Sequence, residues 1–357
     1  METRCTRVGI LTGGGLAPGT NAVIAGIALH LKKTGHSALG IPKGWKGLTQ
    51  PHDLVNFDDW HPEKLRQLPT VTGTILRSSR TKVDGQNIDP VMEQIQHHRL
   101  DAIVAIGGDD TLGSANNLRQ KGFEAIVGVP KTIDNDVHGT DVTYGHWSAV
   151  DAAAEQVELM RNEARCMVRI AIVEIMGRQA GWLAMRGGSA GGSDIELIPE
   201  VVVDTDKVLG RLQSLFVRDE HAVVAIAEGY PLGGKETVQR DTVDAYGHKK
   251  LGGVGRSLAE IIEKELRVDT QVQTTGYTVR SKTNSLDRMF GRGLGALAAE
   301  LIVQKDFGKM AGLRNGEIIP VPLEEARGGR FVPPDLYDEE EMRQKLLIRP
   351  QVKAILW

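Results

Sequence analysis

Five short apolar runs constrain the fold of this 357-residue chain more than any other feature. They are VGILT (8–12), AIVAIGG (102–108), AIVGV (125–129), RIAIVEIMG (169–177) and AVVAIAEG (222–229). Each is rich in β-branched residues, which suits a strand buried on both faces. Between them lie segments with helical spacing, among them NAVIAGIALHLKK (21–33), HWSAVDAAAEQVELMRNEA (146–164), GRSLAEIIEKEL (255–266) and GALAAELIV (295–303). Strands alternating with helices predict an α/β fold with parallel sheets and right-handed crossovers. The length exceeds one average domain and suggests two, possibly intertwined. The stretch 231–253 reads as a long polar loop or a hairpin. Asp338, Glu339, Glu340 and Glu341 read as a solvated acidic helix start.

Composition excludes several function classes. The 43 basic and 46 acidic residues give a net charge of −3, without the basic excess that nucleic-acid binding needs. Cys5 and Cys166 stand far apart with no histidine cluster nearby, so neither a disulfide framework nor a zinc site is expected. No run of about 18 apolar residues occurs, so no membrane span is expected. A cytoplasmic protein is the expectation.

In open parallel sheets, ligands sit beyond the carboxyl ends of the strands, and the polar motifs all fall there. LTGGGLAPGTNAVI (11–24) runs from a strand through Gly13, Gly14 and Gly15 to a helix opening near Asn21. Bare glycine amides and a helix start suit phosphate, although a tight turn would use the same residues. The loop is neither G-x-G-x-x-G nor a P-loop, which argues against a dehydrogenase. GGDDT (107–111) offers carboxylates for magnesium, or simply an acidic helix cap. PKTIDND (130–136) offers Asp134 as a general base, Thr132 and Asn135 to orient a substrate, and Lys131 to stabilise a transferring phosphoryl group. An Asx-rich turn would look the same. EIMGRQAG (174–181) carries Arg178, AEGY carries Glu228, and TTGYTVRSK (274–282) places Tyr277 and Arg280 about a short extended stretch.

Taken in this order, from about residue 7 to 305, the motifs resemble the phosphofructokinase family, and TIDND with MGR is the most specific part. The resemblance implies two doubly wound (Rossmann-like) α/β domains with the active site in the cleft between them. Residues 1–145 plus about 285–325 would form the phosphoryl-donor domain, 146–284 the sugar-phosphate domain, and 326–357 a C-terminal tail. It implies Asp134 as base toward the sugar 1-hydroxyl, with Thr132, Ile133 and Asp136 close by, and Asp109 as the Mg²⁺ ligand. Met176, Gly177 and Arg178 would form a substrate-binding turn, Glu228 would contact sugar hydroxyls, and Tyr277 stands where many members have histidine. Arg169 and Arg280 would hold the 6-phosphate, Arg169 reaching in from a neighbouring subunit of a homodimer or homotetramer. Gly15, Arg80, Gly108 and Lys131 would contact the phosphoryl donor.

ATP-using members resemble GGDG and PGTIDND; this chain reads GGDD and PKTIDND, the pattern of the pyrophosphate-dependent branch. Asp110 would fill the space of an α-phosphate and ribose and repel the former. Lys131 would neutralise the compact pyrophosphate as a point charge. The expected activity is reversible, Mg²⁺-dependent phosphorylation of fructose 6-phosphate by pyrophosphate. An ATP-dependent enzyme, and a catalytically silent metabolite sensor that retains the fold, are the competing readings. Leu16 replaces an aspartate of the family's glycine loop, Gln271 stands for a second subunit-crossing arginine, and the stretch after Arg280 is about one residue short. These departures fit a different sugar phosphate too, such as sedoheptulose 7-phosphate. Ala25 and Leu29 occupy the effector-arginine positions, so no allosteric control by ADP through that site is expected.

Overall fold

The computed structural model describes residues 6–235, 238–243, 249–333 and 336. The acidic run 338–341 lies outside the described residues.

The chain opens with β1 (Arg7–Thr12), α1 (Thr20–Lys33), β2 (Ser37–Ile41), β3 (Val55–Asn56), α2 (Pro62–Gln67) and α3 (Ile88–His97). It continues with β4 (Ala102–Gly107), α4 (Asp109–Gln120), β5 (Ile126–Pro130), α5 (His146–Met167), β6 (Ile170–Ile175), α6 (Trp182–Gly191) and β7 (Ile195–Leu197). Then come α7 (Thr205–Asp219), β8 (Ala222–Ala227), β9 (Val238–Val243), β10 (Lys249–Leu251), α8 (Val254–Leu266), β11 (Thr270–Thr274), α9 (Ser285–Val303), β12 (Lys309–Arg314) and β13 (Glu317–Pro322). All five apolar runs are strands. The polar stretch before α8 contains the antiparallel pair β9–β10.

Two sheets organise these elements. The seven-stranded sheet runs β13-β12-β5-β4-β1-β2-β3, and the four-stranded sheet β11-β6-β8-β7. The first is parallel from β12 to β2, with antiparallel strands only at its edges; the second is parallel throughout. Strand residues alternate between two cores. In β4, Val104 and Ile106 pack with α1 and α9, while Ile103 and Ala105 pack with α3 and α4. In β6, Ala171, Val173 and Ile175 pack with α5 and α6, while Ile170 and Ile172 pack with α7 and α8. The central strands of both sheets are therefore covered on both faces, which is why they read as continuous apolar runs.

Late in the chain, α9, β12 and β13 return to the first sheet. Helix α9 spans Ser285–Val303, ten residues earlier than its apolar half suggests. Gly291, Gly293 and Gly295 weaken the helical pattern there, but Asn284 caps the true start, its side chain accepting from Asp287 N at 2.8 Å. Among the described residues no helix is long and apolar enough to cross a membrane.

Candidate active site

Three loops leave the carboxyl ends of β1, β4 and β5 and meet. The glycine loop is stitched to its neighbours by Gly13 N donating to Ile106 O and Gly14 N to Ser79 O, both at 2.9 Å. Gly14 adopts φ +79°, and a Cβ there would sit 3.4 Å from Lys131 Nζ; only glycine combines that backbone with that approach. The β4 loop turns directly into α4, with Gly108 as N-cap and Asp109 and Asp110 in the first turn. Free amides and the positive helix end favour negative charge there. The helix opening near Asn21 does not line this cavity; α4 takes the place expected of α1. The N-terminal loop of α1 instead meets the segment before α9, where Gly19 N donates to Thr283 Oγ1 at 3.0 Å.

The β5 loop is the most tightly built. Lys131 N donates to Gly107 O at 2.9 Å, which places the lysine beside the β4 loop. Asp134 N donates to Thr132 Oγ1 at 3.0 Å, and Thr143 N to Asn135 Oδ1 at 3.0 Å. Asn135 sits at φ +57°, a conformation asparagine tolerates. The Asx-turn reading is thus correct for Asn135, whose side chain is spent on the backbone and does not orient a substrate. Lys131 and Asp134 remain turned toward the cleft.

A cavity of about 70 Å³ opens at this meeting point. The glycine loop contributes Gly14 and Gly15, the α4 start Gly108, Asp109, Asp110 and Thr111, and the β5 loop Lys131, Thr132, Asp134 and Asp136. Arg80 comes from the segment between α2 and α3, and Arg178 and Arg280 from around the second sheet. Lys131, only 5% exposed, donates from Nζ to Gly15 O. Burial pushes its ammonium down to about 7, and the positive charge of Arg280 adds to the effect. Asp136 is pushed up to about 7 by burial, then by the charges of Asp134 and Asp109. Asp134 is buried, and its Oδ1 accepts no hydrogen bond among the described residues. Such an orphaned oxygen, beside two further carboxylates, is what a substrate hydroxyl or a hard cation would satisfy.

The second sheet supplies the facing wall. Gly177 and Arg178 both take positive φ, +152° and +54°. Glu228, at the end of β8, holds this strained turn by accepting from Arg178 N at 3.0 Å and Gly177 N at 3.4 Å. Burial raises the Glu228 carboxyl to about 6, with Asp134 adding to the rise.

Other expected residues are placed differently. Ile133 is fully buried in the core under the second sheet, so its side chain cannot touch a ligand; its carbonyl meets His146 Nδ1 at 2.7 Å. Tyr277 is 76% exposed on the 3₁₀ turn Gly276–Arg280. That stretch is not extended, because Gly276 turns the chain at φ +52°. Arg169 precedes β6 whereas Met176 follows it, a separation of about 20 Å along a six-residue strand. Arg169 instead faces Glu163 Oε1 at 3.6 Å and Gln271 Oε1 at 3.4 Å. The sequence reading missed Lys82, whose Nζ lies 2.9 Å from Asp110 Oδ1. No local signal links these two residues; only folding brings them together.

Helix-start amides, a buried lysine, arginines and carboxylates gathered at strand ends across an α/β cleft define a phosphoryl-transfer enzyme. More particularly, the chain belongs to the phosphofructokinase family, whose sequence profile matches residues 7–302. It is 39% identical to a pyrophosphate–fructose 6-phosphate 1-phosphotransferase of Dictyoglomus thermophilum, over 89% of this chain and 92% of that protein. A protein of the same name from Amycolatopsis methanolica is 38% identical over 94% of this chain and 99% of its own length. An ATP-dependent 6-phosphofructokinase of Mycobacterium leprae is 35% identical over 93% and 98%. In fold, the chain resembles the crystal structure of a pyrophosphate-dependent phosphofructokinase from Marinobacter aquaeolei, with TM-score 0.83 and 21% identity over 98% of this chain and 90% of that one.

Proposed function

We propose that this enzyme transfers a phosphoryl group reversibly between pyrophosphate and the 1-hydroxyl of fructose 6-phosphate. The observation that carries the donor assignment is the buried Lys131 ammonium at the glycine loop, with Asp110 fixed at the cavity rim by Lys82. The cation stabilises a compact diphosphate. The carboxylate repels, and occupies the path of, anything that continues beyond a second phosphate. Relatives carrying either donor in their names match this chain, so these two residues, rather than overall similarity, favour pyrophosphate.

Gly14 and Gly15 offer close backbone approach to the donor, with Gly108 at the α4 start, and Arg80 and Lys131 bind its oxygens. The buried Asp134 accepts the proton of the sugar 1-hydroxyl as that oxygen attacks phosphorus in line. Thr132 holds this base in position by accepting from the Asp134 amide, with Asp136 in the same cavity. Arg178 balances charge on the transferring group, and the Met176–Arg178 turn with Glu228 receives the sugar.

Mg²⁺ takes one or two carboxylates and completes its shell with phosphate oxygens and water, and the carboxylate of Asp109 at the α4 start fits that demand. Asp109 would hold it, which leaves the unpartnered Asp134 oxygen free for the hydroxyl proton. Once bound, the ion would neutralise charge developing on the phosphate oxygens.

A coupled assay of purified enzyme with pyrophosphate and fructose 6-phosphate tests the proposal. The expected products are fructose 1,6-bisphosphate and phosphate, with Asp134→Asn lowering kcat by about 10²- to 10⁴-fold. Absence of turnover from pyrophosphate with any sugar phosphate would refute it.

A further inference from the structure

After β13 the chain passes from the first sheet to the second. Ala326, which ends the 3₁₀ turn Leu323–Ala326, is buried in the core with α3 and α4, whereas Val332, a few residues on, is buried in the core with α5 and α6. This short strap touches both walls of the cleft. Arg330 N donates to Asp136 O, in the β5 loop, at 2.8 Å. Arg330 O accepts from Trp182 Nε1, at the start of α6, at 3.1 Å, and the Arg330 Cζ lies 4.2 Å from the centre of the Trp182 ring. Val332 N donates to Glu200 Oε1 at 3.0 Å. The same carboxylate accepts from Gly181 N, at 2.8 Å to Oε1 and 3.0 Å to Oε2. Gly181 follows the Met176–Arg178 turn and caps α6. A Cβ there would come within 2.4 Å of Ile198 and 2.6 Å of Glu200, so the backbone lies directly against the carboxylate.

We propose that Glu200 is a positioning residue, which clamps the end of the Met176–Arg178 turn to the strap and so fixes the spacing between that turn and the loop that carries Asp134. The inference rests on the reading of this turn as the sugar site. Three observations support it. First, the turn takes positive φ at Gly177 and Arg178, a backbone that persists only where its surroundings determine it. Glu228 holds one end through the amides of Gly177 and Arg178, and Glu200 holds the other through the amide of Gly181. Second, Arg330 joins the two walls through its own backbone, with its N–H on the β5 loop and its carbonyl on α6. Third, Val332 is 2% exposed, so burial anchors the strap at the point where Glu200 grips it. Lys131 and Gly14 are held instead by Gly107 O and Ser79 O. Loss of the clamp therefore moves the sugar wall relative to the donor site and leaves the donor site in place.

Glu200→Ala, Glu200→Gln and Trp182→Phe in the full-length enzyme test this, each assayed at a temperature where urea denaturation shows it folded. Kinetic constants for the sugar phosphate and for the donor are measured separately, using whichever substrates the wild type turns over. Glu200→Ala is expected to lower kcat/KM for the sugar phosphate about tenfold or more while donor KM stays within about threefold. Glu200→Gln keeps an oxygen that can accept from both amides and should recover most of that loss. Trp182→Phe removes the bond to Arg330 O and should lower the same ratio about threefold or more; it decides the matter if Glu200→Ala does not fold. An unchanged sugar-phosphate kcat/KM, a donor KM that rises as much as this ratio falls, or a Glu200→Gln enzyme as impaired as Glu200→Ala would overturn the inference. A wild type that turns over no sugar phosphate would instead overturn the functional reading, and this inference with it.

Discussion

Lys131 concentrates the chemistry of this site in one side chain. Its pKa falls from 10.5 to about 7 because it is buried beside another cation. A bound anion favours the charged form, so donor affinity due to Lys131 is fully present below pH 7 and declines above it. KM for the donor should therefore rise by up to about tenfold per pH unit above 7. The control is Lys131→Arg, whose charge does not titrate; its donor KM should lack that component. Profiles of the two enzymes with the same slope would contradict this account. In the ligand-free protein the sign for stability is opposite. The unfolded lysine stays charged to higher pH, so Lys131 opposes folding fully below pH 7, and that opposition fades between 7 and 10.5. The sequence made the residue types at this site legible, since PKTIDND and GGDDT carry their chemistry locally. It did not reveal the Lys82–Asp110 pair or the reach of Arg280 to Leu16, which depend on folding across long stretches of chain.

Elements, more than single residues, decide where this chemistry occurs. Strands covered on both faces expose polar groups only at their ends, so every motif of the cleft follows a strand. Five strands were legible as short β-branched apolar runs ending in glycine or an acidic residue, whereas β2, β3, β7 and β11 to β13 were not. Helix α9 was only half legible, because its glycines mimic a loop. Its buried Asp287 joins the two parts of the fold. The carboxylate accepts from Gly145 N at 2.8 Å, Ser148 N at 2.7 Å and Ser148 Oγ at 2.6 Å, capping α5. Asp287→Ala leaves those buried donors unsatisfied and should destabilise the protein by about 3 kcal/mol in urea denaturation. A loss below about 1 kcal/mol would show that water replaces the carboxylate.

For the whole molecule, the placement of Arg169 is the informative feature. It lies beyond the amino end of β6, while the cleft lies at the carboxyl end, so it cannot serve the sugar site of its own chain. If it serves a neighbour, the functional unit is an oligomer whose site is shared. Arg169→Ala should then raise sugar-phosphate KM about 10- to 100-fold with donor KM unchanged, and light scattering should find a dimer or tetramer. A monomer that retains full sugar affinity would exclude this role.

The central claim is that the donor cavity accepts a diphosphate and rejects a nucleotide. The most direct measurement is kcat/KM for magnesium pyrophosphate and for magnesium ATP, at saturating fructose 6-phosphate, on the same preparation. The account predicts that pyrophosphate is favoured by about 10³-fold or more, the scale of an opposed charge combined with a steric block. Equal efficiency, or a preference for ATP, would contradict it.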